Sequence, residues 1–151
     1  MKIKAVMFLS LIFFSCSGNK NVDKKFKVKD EIKISNESKY YYEPNNSILS
    51  GTIKDELFWG APNFGEDTTV DEKEICFILY LDKPINIYAE STDEINGTLK
   101  GINKIQLVSK RKLDSFKNKN VIVKGQLFAA HNGHHHTDVL LRTHDISEKA
   151  R

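Results

Sequence analysis

The run Ile75-Cys76-Phe77-Ile78-Leu79-Tyr80-Leu81 constrains this chain more than any other segment. Side chains alternate across a strand, so Ile75, Phe77, Leu79 and Leu81 share one face and Cys76, Ile78 and Tyr80 the other. A strand apolar on both faces belongs in the middle of a barrel or sandwich, where each face is covered. The pattern extends over residues 74–88, and Pro84 marks a break or an edge, because proline donates no ladder hydrogen bond.

The rest of the chain supplies partners for that strand. Residues 47–58 predict a strand that bends at Gly51, and residues 103–109 a third, carried by Ile105-Gln106-Leu107-Val108. Residues 110–119 are charged, with Leu113 and Phe116 three apart, which fits one or two helical turns. Residues 120–130 and 135–146 give two last strands joined as a hairpin. Three strands, a short helix and two strands form the order of the OB-fold, a five-stranded partly open barrel. An immunoglobulin-like sandwich is the rival, but it needs about seven strands.

The other end of the chain carries an export pattern. Lys2 and Lys4 precede an apolar run from Ala5 to Phe14 that is broken only by Ser10. Ten helical residues span about 15 Å, half of a bilayer core of about 30 Å, which suits a signal peptide and not a membrane span. Phe13-Phe14-Ser15-Cys16 resembles the lipobox of bacterial lipoproteins, with Phe13 in place of the usual leucine; an ordinary secretory signal with an incidental cysteine is the alternative. The expectation is therefore a signal peptide over residues 1–15, lipidation of Cys16, a polar linker over 16–46 and an OB-like domain over 47–148. Val22, Phe26, Val28, Ile32 and Ile34 leave a short strand near residues 25–34 as another reading of the linker. Tyr40-Tyr41-Tyr42 is its expected docking point on the domain. Several acyl chains on one cysteine would hold the product stably on a membrane. The protein is then exported and lipid-anchored to the bacterial cell envelope, and Ser17 after the cysteine favours the outer membrane, facing the periplasm, in a Gram-negative host.

Charge and cysteine count narrow the partners. Without residues 1–15 the chain has 21 basic and 20 acidic residues, a formal charge of +1. That is no electrostatic footprint for nucleic acid, which is expected not to be a partner. Only two cysteines are present. Acylation of Cys16 leaves Cys76 without an internal partner, and its apolar surroundings favour a buried, inert thiol over a reactive one.

Two loops hold nearly all the unusual chemistry. In an OB barrel the loop after the first strand and the loop between the last two border the usual binding face. Here the first is Phe58-Trp59-Gly60-Ala61-Pro62-Asn63-Phe64-Gly65-Glu66-Asp67, and the second is His131-Asn132-Gly133-His134-His135-His136-Thr137. Trp59 and Phe64 either plug the barrel end or form an apolar platform. With Asn63, Glu66, Asp67 and His135 they are the candidate ligand-binding residues. Asn132-Gly133 is a hairpin signal. If Asn132-Gly133 were the whole turn, His131 would face His134. The odd-numbered Val121, Val123, Leu127, Val139 and Leu141 argue instead for a loop with an odd number of residues, which His131-Asn132-Gly133 satisfies, and His134 and His136 share a face in either register. His134, His136 and Asp138 then share one outer face, with His131 at the tip and His135 directed toward the barrel mouth. Imidazoles so placed can bind zinc, copper or nickel as neutral ligands, with His131, Asp138, Glu66 or Asp67 completing the set. The alternative is that the rings pack and hydrogen-bond to join the two loops.

The chain also resembles a bacterial family of domains of unknown function, family 4431, found in exported proteins. The resemblance rests on Gly60-Ala61-Pro62-Asn63-Phe64-Gly65-Glu66, Leu81-Asp82-Lys83-Pro84-Ile85, Ile105-Gln106-Leu107-Val108, and Gly125-Gln126-Leu127-Phe128 running into the histidine loop. It covers roughly residues 48–146 and implies a domain and an exported context without an activity. Three functions follow as candidates: an envelope binding module for a small ligand, glycan or protein; a metal-binding protein or metal-dependent hydrolase using the histidine loop; and a structural or inhibitory envelope partner. No serine nucleophile motif, phosphate-cradling glycine loop or paired-cysteine knuckle is present.

Overall fold

A computed structural model describes residues 38–150 except 92 and 94. The expected signal peptide, Cys16 and most of the expected linker, including the alternative strand near residues 25–34, lie outside the described residues. Among those described, no helix is long and apolar enough to cross a membrane.

Six strands run in the order β1 (Tyr40–Tyr41), β2 (Asn46–Trp59), β3 (Lys73–Tyr88), β4 (Leu99–Val108), β5 (Asn120–Ala129) and β6 (Val139–Glu148), with one 3-10 turn, Asp114–Phe116, between β4 and β5. The five long strands hydrogen-bond in a ring, β2-β3-β4-β6-β5 and back to β2. All pairs in the ring are antiparallel except β4 with β6. That parallel pair is short, joining Gln106 to Leu140, Leu107 to Leu141 and Val108 to Arg142, so the ring is partly open there. This is the OB-like architecture expected from the strand order.

The odd-numbered residues fill the ring as their alternation requires. Leu49, Ile53, Leu79, Ile87, Ile105, Val121, Val123, Leu127, Val139 and Leu141 form one buried cluster, with Leu113 closing over it from the short turn. Ile75 departs from the expectation: it is 66% exposed, and its cross-strand partner Leu57 is 54% exposed. The reason is neighbours. β3 pairs with β4 only from Ile78 onward, and β2 pairs with β5 only up to Thr52, so the β2–β3 hairpin outruns the ring. Pro84 coincides with the break foreseen, since the β3–β4 register shifts between Tyr80 and Ile85.

The domain begins before residue 47. Tyr40 and Tyr41 pair in parallel with Ile87 and Tyr88, and the buried Tyr42 donates its hydroxyl to Gly97 O at 3.0 Å. The three tyrosines thus dock on the domain as expected.

Candidate functional site

The largest difference from the sequence reading lies in the histidine loop. β6 starts at Val139, four residues later than expected, and Ala129 pairs with Val139. The loop therefore spans residues 130–138, closed by the Ala130 amide donating to Asp138 O at 3.0 Å. The odd parity holds, but a three-residue turn does not form. The cause is Gln106, a buried residue of β4 whose side chain substitutes for strand pairing. Its Nε2 donates to His134 O at 3.0 Å, and its Oε1 accepts the His136 amide at 2.7 Å. The Gln106 amide in turn donates to Thr137 Oγ1, which donates to Val139 O. These bonds draw residues 134–137 across the outside of β4 and away from a direct hairpin.

What lies beneath the loop follows from register. Ile78, Gln106, Leu140 and Phe128 are successive cross-strand partners and so share the outer face of the ring. All four are buried, outside the interior cluster. Phe128 meets the rings of His131 and His135 at centroid distances of 5.9 and 5.5 Å. The loop thus covers a second, small apolar layer on the outside of the sheet.

The histidines divide into two pairs. His134 and His136 converge on Glu74 of β3: His134 Nδ1 lies 2.6 Å from Glu74 Oε1, and His136 Nε2 lies 3.1 Å from Glu74 Oε2. His136 is nearly buried, and its ring stacks on Phe58 at 4.1 Å with an interplanar angle of 1°. The two imidazoles hold the Glu74 carboxyl below the usual range, the hydrogen bond to His136 contributing most and outweighing partial burial. His131 joins His135 instead, its amide donating to His135 Nδ1 at 3.1 Å, with the rings edge to face. Burial foremost, then the nearby His131, holds the His135 ring below its usual pKa, which favours the neutral form.

Among the described residues, one group of donors converges closely enough for a metal ion: Glu74, Cys76 and His136, with their ligand atoms within 4.8 Å of one another. Glu74 and Cys76 are two apart on β3 and share its outer face. Cys76 Sγ also lies 3.6 Å from Gln106 Nε2. Burial pushes the Cys76 thiol up, and the Glu74 charge adds to the effect. Of the residues expected to bind metal, only His136 belongs to this group, and His134 touches it through Glu74. His131 is committed to His135, and Asp138 is exposed and closes the loop through its backbone. Glu66 is exposed, and Asp67 accepts from the amide and hydroxyl of Thr69.

The other loop, residues 60–72, is organised by Asp71. This buried carboxylate accepts from the amides of Asn63 and Gly65, each at 2.7 Å, and fixes the turn in which Phe64 adopts a φ of 52°. Phe64 is thereby turned toward the histidine loop: its ring meets His134 edge to face at 5.5 Å and packs on Gly133, where a Cβ would lie 2.6 Å from Cε1. Trp59 ends β2 half-buried, with Lys73 Nζ 5.6 Å from its ring centre. Asn63 is half-exposed. The two loops expected to lie side by side do so.

Glu74 and Asp71 were not singled out in the sequence. Cys76 was expected to be a buried, inert thiol and is instead half-buried beside Glu74 and His136, and Gln106 was noted only as part of a strand motif. Glu74 and Cys76 carried a faint signal, a polar pair two apart at the start of an apolar strand. Gln106 looked like an ordinary alternating polar residue, and Asp71 like one more acidic loop residue.

No curated protein and no solved structure matches the chain. A family model described as a domain of unknown function (DUF4431) matches residues 104–147. That stretch holds Gln106, both strands of the final hairpin and all of the histidine loop. The chain resembles this family through the segment that carries Gln106 and the histidine loop, whereas Phe64, Asp71, Glu74 and Cys76 lie outside the match.

Proposed function

We propose that this protein is an exported, lipid-anchored binding module of the bacterial cell envelope, working through the end of its ring where the two loops meet. The observation that carries the reading is the contact of Phe64 with Gly133 and His134, which joins the loops into one ordered surface. Phe64 remains 45% exposed there, beside the half-exposed Asn63 and the exposed His134. An aromatic face flanked by hydrogen-bonding groups that are already held in place suits a glycan or a protein segment, because little ordering is left to oppose binding. OB-folds use the corresponding loops for oligosaccharides and oligonucleotides, an analogy of position alone. The near-neutral charge of the mature chain argues against the nucleotides.

Anchorage and binding are tested together in cells. A photo-crosslinking phenylalanine analogue at Phe64 is expected to give adducts with envelope protein or glycan. The same analogue at the exposed Ile122, near the opposite end of β5, is expected to give none. Equal labelling from both positions, or none from Phe64, would remove the loop end as the binding surface. Cys16→Ala is expected to move the protein from the membrane to the soluble exported fraction, and retention on the membrane would refute the lipid anchor.

A further inference from the structure

We infer that Glu74, Cys76 and His136 form a zinc site. The inference rests on the binding surface proposed above and identifies a ligand for it. Three kinds of donor meet at one point: a carboxylate oxygen, a thiol sulfur and an imidazole nitrogen, all within 4.8 Å of one another. Zinc takes all three, at about 2.0–2.2 Å from oxygen, 2.3 Å from sulfur and 2.0–2.1 Å from nitrogen. Tetrahedral angles then place the ligand atoms roughly 3.3–3.8 Å apart, so small side-chain rotations suffice. Glu74 Oε2 and His136 Nε2, now 3.1 Å apart, part slightly, and no ligand atom lies more than 4.8 Å from another.

The supports of the site match what a metal centre requires. Glu74 and Cys76 project from the same face of a paired strand. His136 is clamped through its amide by Gln106 and through its ring by Phe58. The carboxylate lies against the backbone of Gly60, where a Cβ would come within 2.2 Å of Glu74 Oε1. His134 holds that same oxygen at 2.6 Å, leaving Oε2 on the side of His136. His134 is thus a positioning residue that orients the carboxylate, as outer partners of metal ligands do. A pair of histidines bracketing a carboxylate would be complete as a structural ion pair. The thiol at the same point has no part in such a pair, and it is the soft donor that favours zinc over magnesium or calcium. Three protein ligands leave the fourth place for solvent or for a donor atom of a bound molecule, the arrangement of zinc sites that exchange a ligand.

The test uses the full-length untagged protein in detergent, with zinc alone as the first probe and cobalt as a spectroscopic substitute. About one equivalent of zinc is expected to remain after dialysis. The cobalt form is expected to show an intense near-ultraviolet thiolate charge-transfer band and tetrahedral visible bands. Cys76→Ser is expected to remove the charge-transfer band, and His136→Ala to weaken zinc at least tenfold. His134→Ala is expected to weaken it about 10–100-fold while keeping the band. His131→Ala and Asp138→Ala are expected to leave both unchanged. Absence of zinc, cobalt bound without the thiolate band, or binding lost in His131→Ala but kept in His136→Ala would each overturn the site. Should Cys76→Ser fail to fold, the wild-type cobalt spectrum decides alone. A protein that crosslinks from Phe64 but retains no zinc after loading would sink the zinc site and leave the binding surface standing. Loss of that crosslinking in a zinc-loaded protein would do the reverse.

Discussion

Gln106 is the residue on which the loop end depends. It is 7% exposed, and both ends of its amide are used, Nε2 on the His134 carbonyl and Oε1 on the His136 amide. A buried donor or acceptor left without a partner costs about 1–3 kcal/mol, whereas an amide that satisfies two backbone groups replaces a missing strand. Gln106→Leu keeps the volume and strips both bonds. It is expected to lower stability by about 1–3 kcal/mol in urea unfolding, and to speed hydrogen exchange at the amides of His136 and Thr137 with little change at Val123. Unchanged exchange in the loop would show that the clamp is dispensable. In the sequence Gln106 was indistinguishable from any polar residue of an alternating strand. Its role comes from what crosses over it, and nothing in its own neighbourhood records that.

At the scale of elements, β2 organises the ring. Its first half pairs with β5 through Asn46–Thr52 registers and its second half with β3 from Gly51 onward, so Gly51 faces Leu81 on one side and Val121 on the other. A Cβ there would lie 2.1 Å from the Tyr80 carbonyl oxygen, a backbone atom that cannot step aside. Gly51→Val is expected to cost at least about 1–3 kcal/mol as overpacking, seen as a lowered urea midpoint with an unchanged m-value. An unaffected midpoint would mean that the strand can slide past the bend. This glycine was legible as a bend, and the odd-numbered apolar positions of the last two strands were legible as the core face. The start of β6 was not. Asn132-Gly133 does form a local turn, closed by the His135 amide on Asn132 O at 3.1 Å, but it sits inside a longer loop, because the bonds from Gln106 hold residues 134–136 out of the hairpin until Val139. Ile75 failed for a related reason, since alternation reports which face a side chain takes but not how far the neighbouring strands extend.

For the whole molecule, the end of the ring away from the histidines is tied by Asp82. Its carboxylate accepts from Lys149 Nζ at 2.7 Å, Ser50 Oγ at 2.7 Å and Asn120 Nδ2 at 3.1 Å, joining β3 to β2, β5 and the chain after β6. The hydrogen bonds from Lys149 and then Ser50 hold the Asp82 carboxyl below its usual range. A carboxyl whose folded pKa lies below its unfolded value of about 3.9 stabilises the fold above that pH, and the contribution disappears as pH falls through the folded value. Because the ion pair is partly solvated, it is expected to contribute about 1 kcal/mol or less. Wild type should therefore melt slightly higher than Asp82→Asn at pH 6–7, with the two converging as pH falls through the lowered folded value. A gap that persists at low pH would assign the effect to packing. The outer layer of Ile78, Leu140 and Phe128 has a different consequence. These side chains are buried on the outer face of the sheet, and His131 and His135 of the histidine loop lie against Phe128, with Arg142 over the same ring. A peptidase that nicks that loop would leave every strand pair in place and still lay apolar surface open to other molecules. The histidine loop is in this sense the protein's coat as well as its candidate site, and wear to one is wear to both.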